Sequence, residues 1–183
     1  MTDDGPWRIF VCMEYSIRSA RKSDAAVMYN VSVRAHTQGY YSQLIPSESM
    51  LDFIDHYRVS THKRQRFISS INRKIDNSQW FLLVAESQTK VVGYTLAHVE
   101  KDSTLTMKGL FVDPKYHHQG IGSRLFETKL NKAGQARKIQ LAVIARNTVA
   151  KAMYEKYGFK VTGSAAKTFF GAKQDIMERV SSY

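Results

Sequence analysis

The amino-acid sequence predicts an α+β fold, a mixed sheet with helices on its faces. Two β-branched and aromatic runs, WFLLVAES and KVVGYTLAHVE, flank the polar pair Gln88-Thr89, which is a hairpin pattern. Further on, amphipathic helical stretches alternate with strand-like runs instead of following them as a block. The resulting order is strand, helices, three strands, helix, strand, helix and two strands, as expected of a sheet covered by helices.

Residues 1–13 read as an N-terminal extension ahead of a single domain over residues 14–183. Tyr15 to Ala20 alternates as a strand does. SDAAVMYNVSVRA follows as a helix, with Ser23 or Asp24 as its cap. Residues 48–56 and 61–75 read as further helical pieces. STLTMKGLFVD is the third central strand, ended by Asp113-Pro114, because proline cannot donate to a ladder. From Gly122 an apolar stripe of Ile121, Leu125, Phe126, Leu130 and Ala133 marks a helix ending near Gly134. KIQLAVIA reads as a buried strand. Asn147 and Gly158 bracket the next helix as cap and stop, and FKVTGS and KQDIMERV close the chain as strands.

The 183 residues suffice for one hydrophobic core. No apolar run approaches the roughly 20 residues a membrane span needs, so no membrane partner is expected. Ile9 to Met13 is too short, and lacks the basic flank, for a signal peptide. The single cysteine, Cys12, excludes an internal disulfide and fits a reducing compartment, which makes the cytoplasm the expected location. A net charge of +11 suits a polyanion such as nucleic acid, anionic lipid or a nucleotide cofactor. The acid-free run from Arg58 to Lys74 reads first as the solvated face of a helix.

HHQGIGSRLF, from His117 to Phe126, carries two glycines where a strand gives way to a helix. Each costs a helix about 1 kcal/mol relative to alanine. In return, backbone amides at a helix start form an anion site that a phosphate can approach closely. A plain tight turn is the other reading. Ser123-Arg124 after the last glycine excludes the nucleotide P-loop, and Leu125 occupies the third-glycine position of a dinucleotide fingerprint.

LFVDP followed by HHQGIG, then Asn147, Tyr154, Gly158 and Phe159, resembles the GNAT superfamily of acetyl-CoA-dependent N-acetyltransferases. The resemblance spans about Phe81 to Gly163, with weaker agreement over Ser16 to Tyr41. It implies a mostly antiparallel central sheet of about six to seven strands with helices on both faces. It also implies acetyl-CoA as co-substrate, without a metal. The diphosphate would sit on the amides of His117, His118, Gln119, Gly120, Ile121, Gly122 and Ser123. The pantetheine arm would pair with the main chain of Leu110, Phe111 and Val112. Asn147 would contact the cofactor or merely cap its helix. Tyr154, seven residues on and on the same helical face, would be general acid to the departing thiolate, or else an amphipathic core aromatic.

The chain departs from the family pattern at two places. His117 stands where Gln or Arg is usual, and adjacent histidines without further ligands make a poor metal site. Thr106 stands six residues before Val112, where many relatives carry a glutamate base. Glu100, acting through water, and His98 are the candidate replacements. On the acceptor side, YYSQLIPSESMLDFIDHY vaguely resembles a polyamine acetyltransferase-like subgroup, and Glu48, Asp52 and Asp55 could hold a cationic amine or simply face water. The expected acceptor is a small amine, a polyamine or a peptide amine, with a homodimer left open. A coenzyme A-binding sensor without catalysis, or a basic nucleic-acid module, are the competing classes. Only Phe67 interrupts the basic run, so nucleic acid is not the expected partner.

Overall fold

The computed structural model of the protein describes residues 14–38, 40–132 and 136–180. The strands are β1 (Tyr15–Ser19), β2 (Trp80–Ser87), β3 (Lys90–Val99), β4 (Thr104–Val112), β5 (Lys138–Ile144), β6 (Lys160–Ser164) and β7 (Gln174–Val180). The helices are α1 (Ala25–Thr37), α2 (Met50–Tyr57), α3 (Thr61–Ile75), α4 (Ile121–Lys132) and α5 (Thr148–Lys156). One seven-stranded sheet runs β1-β2-β3-β4-β5-β7-β6, antiparallel throughout except for the parallel pair β4–β5. This is the α+β architecture the sequence predicts. The proposed extension, Cys12 and the end of α4 at Ala133 and Gly134 lie outside the described residues. No helix among those residues is long and apolar enough to cross a membrane.

Local chemistry accounts for most element ends. Gln88 and Thr89 both take positive φ, +47° and +66°, the left-handed pair that a primed two-residue hairpin requires. The Asn147 side chain accepts from the Ala150 amide at 3.0 Å and starts α5, and Gly158 at φ +82° ends it. The start of α1 differs from expectation. Asp24 precedes the helix but makes no side-chain cap. Its carboxylate accepts from the Arg21 amide at 2.7 Å and from the Arg18 guanidinium at 2.7 and 3.0 Å, because a buried charge gains more from a cation than from a cap.

The sheet is packed on both faces. Leu105, Met107, Leu141 and Val143 lie under α4 and α5 with Phe126 and Phe159. Leu82, Val84, Tyr94 and Leu96 lie under α1 and α3 with Met28 and Ile71. A smaller cluster around Phe53, Ile144 and Ala172 holds α2. Strand alternation therefore turns Thr104 and Thr106 toward the α1 side.

One feature of the sheet positions the site. Strands β4 and β5 pair only from Thr104↔Lys138 to Met107↔Leu141. Beyond that point β4 follows β3, and β5 follows β7. At the divergence Leu96 pairs with Gly109 and Ala97 with Met107, leaving Lys108 as an extra residue in β4. Such a bulge bends its strand and increases the local twist, which opens the sheet at this seam.

Candidate active site

A cleft of about 280 Å³ occupies the opening between β4 and β5. Because the sheet is parted there, the cleft has walls on both faces. Leu110, Phe126, Lys129, Val143 and Tyr154 line it on the α4–α5 side. His36, Thr106, Lys108, Phe111, Phe169 and Gln174 line it from the α1–α2 side and the seam.

Along β4, the Asp113 amide donates to the Val92 carbonyl, so by alternation Gly109 and Phe111 direct their main-chain groups toward β3. Leu110 and Val112 direct theirs into the opening. Of the three residues expected to pair with a ligand there, Phe111 instead contributes its ring, 5.1 Å from Tyr94 and 4.9 Å from His36. The Val112 carbonyl already accepts from His117 Nε2 at 3.1 Å. His117 thus ties the loop to the strand it has just left.

That loop is anchored at its entry. The Arg34 guanidinium donates to Asp113 at 2.7 and 2.8 Å, and the second Asp113 oxygen accepts from the Lys115 amide at 3.2 Å. His118 and Gly120 then take φ of +61° and +75°, and Arg124 N–H to Gly120 O at 3.0 Å is the bond that closes the first turn of α4. The amides of Ile121, Gly122 and Ser123 belong to the first turn, where an α-helix offers no internal acceptor. Gln119 is exposed, and the Ser123 hydroxyl is engaged with the Tyr157 phenol. The two glycines have different causes. Gly120 is required by its positive φ. Gly122 is not, since a Cβ there would meet only Val112, at an ordinary 3.8 Å. The protein's own packing does not explain its bare backbone.

Tyr154 reaches the cleft, its ring 5.1 Å from Phe126 and 6.2 Å from Phe159. Asn147 does not line it; the side chain is buried and spent on the cap of α5. Glu100 does not line the cleft either, but it touches a residue that does. Its carboxylate lies 3.2 Å from His98 Nδ1 and 3.4 Å from Lys108 Nζ, and it accepts from the Thr106 hydroxyl. Thr106 in turn accepts from Gln140 Nε2 at 3.0 Å. His98 first, then Thr106 and Lys108, hold the Glu100 carboxyl below the usual carboxylate range. No group of three or more metal-ligating side chains occurs among the described residues.

The acids expected to hold a cationic acceptor are elsewhere. Glu48, in the turn before α2, is exposed, and so are Asp52 and Asp55, because α2 turns Phe53 inward and these two acids away from it. The basic run lies on α3, across the sheet from α4, where Phe67, Ile68 and Ile71 face inward and most of the cations face water. Two residues that the sequence reading did not single out stand in the cleft wall. Lys129 is fully buried, its Nζ 2.5 Å from Thr95 Oγ1, and burial lowers its pKa to about 7. It sits four residues after Leu125 and three after Phe126, on the apolar stripe, so its position was readable from the period. His36 is also buried, and burial, opposed by the Ser32 carbonyl, lowers its pKa to about 4. Its Nδ1 lies 2.6 Å from that carbonyl, which places the proton on Nδ1, and the ring stacks on Tyr57 at 4.1 Å.

Residues 53–172 match the GNAT acetyltransferase domain, and the chain belongs to that family. An uncharacterized N-acetyltransferase of Mycobacterium tuberculosis is 29% identical over 122 residues, 66% of this chain and 73% of that protein. The peptidyl-lysine N-acetyltransferase YjaB of Salmonella typhimurium is 33% identical over 93 residues, 51% of this chain and 59% of its own. In fold, the PaiA N-acetyltransferase of Thermoplasma acidophilum in complex with coenzyme A superposes with a TM-score of 0.70 at 22% identity, covering 92% of this chain and 100% of that one.

Proposed function

We propose that residues 14–183 act as one cytoplasmic domain that moves the acetyl group of acetyl-CoA to a primary amine by direct attack in a ternary complex. The observation that carries this reading is the cleft between β4 and β5, lined by residues from both faces of the sheet. One substrate can enter from the α4–α5 side and the other from the α1–α2 side, meeting at the seam. When bound, acetyl-CoA supplies the activated thioester. The start of α4 holds its diphosphate through first-turn amides, and Leu110 and Val112 offer main-chain groups to the pantetheine arm. Tyr154 donates its proton to the departing thiolate.

The amine must be neutral to attack, so its proton has to leave. Thr106 lines the cleft and donates to Glu100, which like an ordinary glutamate is ionised in the neutral range and is held lower still by His98, Thr106 and Lys108. The pair therefore does what a glutamate in the cleft wall would do, with the carboxylate displaced by one strand. Thr106→Val and Glu100→Gln should each lower kcat by about 10²-fold, and the double variant by no more than either alone. Multiplicative losses would overturn the relay.

Gly122→Ala separates the ligand's need from the protein's. Coenzyme A affinity measured by calorimetry should fall about tenfold or more, while the midpoint of thermal unfolding stays level or rises, since alanine is worth about 1 kcal/mol in a helix. Gly120→Ala should lose both, because its φ of +75° strains any side chain. Thiol release from acetyl-CoA on addition of amines tests the whole reading, and failure to bind acetyl-CoA overturns it.

A further inference from the structure

The α1–α2 half of the cleft has a wall chemistry that narrows the acceptor. His36, Phe111 and Phe169 form its sides, with Ala142 and Ile144 beside them. The rings support one another: His36 lies 4.9 Å from Phe111 and 6.0 Å from Phe169, with Tyr57 stacked against it. Phe169 is fixed in turn by paired main-chain bonds with Ala172 at 2.9 and 3.0 Å, and by edge contact with Phe53 at 6.4 Å. This wall continues the cluster that holds α2, so it is formed before any substrate arrives.

Charge points the same way. Among the described residues lining the cleft there is no aspartate or glutamate, while Lys108 and Lys129 both line it. The acids nearest the seam are already paired: Glu100 with His98 and Lys108, Glu178 with Lys138 at 3.1 Å, and Asp175 with Lys151 at 2.5 Å. A second ammonium on the acceptor would be desolvated without a free carboxylate to pair with. A flat apolar body instead stacks on rings and buries its surface. The acceptor body also has to share the cleft of about 280 Å³ with the acyl end of the donor.

We infer that the acceptor is a monoamine carried on a small uncharged aromatic or apolar body, not a polyamine or a lysine in a basic peptide; this rests on the transfer reading above. The amine points through the seam toward Thr106, and the body lies between His36, Phe111 and Phe169. As transfer proceeds, the nitrogen forms its bond to the acetyl carbon, the carbon–sulfur bond breaks, the amine proton leaves through Thr106 to Glu100, and Tyr154 protonates the thiolate.

The test compares 2-phenylethylamine, hexylamine, spermidine and a lysine-containing basic peptide by thiol release at fixed acetyl-CoA. Equilibrium binding of each amine to the coenzyme A-loaded protein is measured alongside. The expected kcat/KM for 2-phenylethylamine exceeds those for spermidine and the peptide by about 10²-fold, the scale on which an unpaired buried charge is rejected. Phe169→Ala should raise KM for 2-phenylethylamine about tenfold with kcat and acetyl-CoA affinity unchanged. Gln174→Glu, which puts a carboxylate into the cleft, should raise the relative rate with spermidine. Spermidine or the peptide reacting faster in the wild type overturns the inference, as does a Phe169→Ala variant with unchanged KM. If no amine releases thiol but 2-phenylethylamine still binds more tightly than spermidine, the transfer reading fails and with it the acceptor role, and only the cleft's preference for an apolar monoamine ligand stands. If spermidine binds as tightly, both fail.

Discussion

Tyr154→Phe is expected to lower turnover by about 10²–10⁴-fold, the range for losing a positioned general acid, with coenzyme A affinity unchanged. The substitution removes the phenol oxygen and keeps the ring. The ring keeps its contacts with Phe126 at 5.1 Å and Phe159 at 6.2 Å, so α5 stays seated on the sheet. Because the hydroxyl acts on the leaving group, kcat and kcat/KM should fall together. Steady-state kinetics beside a coenzyme A titration give the answer. A variant that turns over at the wild-type rate removes Tyr154 from the mechanism and reduces it to a wall of the cleft.

Lys129→Met is expected to stabilise the protein at neutral pH by about 2–4 kcal/mol, a rise of several degrees in Tm for a chain of this size. In the unfolded chain the lysine takes up its proton near its ordinary pKa of 10.5; in the folded protein burial delays this until about 7. As pH falls from 10.5 to 7 the unfolded state binds the proton first, so stability is lost across that window, and below it the penalty is constant. Methionine is close in shape and has no proton to bind. It forfeits the bond from Nζ to Thr95, but Thr95 still donates to the Gly109 carbonyl at 2.7 Å, so no buried donor is orphaned. Urea unfolding of both proteins should give a gap that is widest at pH 7 and below and closes toward pH 10. A wild type more stable than the variant at pH 7 would overturn this account. Turnover of the same variant reports what the buried amine contributes to the site.

Legibility varied with the range of the interaction. The hairpin at Gln88-Thr89, the cap at Asn147 and the stop at Gly158 are local, and each was read correctly from a few residues. The helix start at Gly120 was legible for the same reason: a positive φ leaves its mark in a single residue. Asp24 stands at the N-cap position of α1 as read, but its side chain makes no cap bond there, because its carboxylate is engaged by Arg18 on another element and by the Arg21 amide. The acids of α2 were legible as a charged face, but not as a face turned from the cleft. Lys129 was passed over because a lysine on an apolar stripe is ordinarily taken as a break in the pattern, although its spacing put it inside.

The sequence by itself determined the fold class, the order of elements, the glycine-opened helix and the placing of Tyr154 two helical turns after Asn147. Periodicity, turn chemistry and capping are properties of neighbouring residues. Only the tertiary structure decided where β4 leaves β5, that Thr106 hands its bond to Glu100 across a strand, and that His36, Phe111 and Phe169 wall one side of the cleft. Those features join residues 34 to 133 positions apart, except the Thr106–Glu100 bond, which spans six residues at the β3–β4 connection. Their meeting depends on sheet register and on how the faces pack, and no local pattern in the chain encodes it.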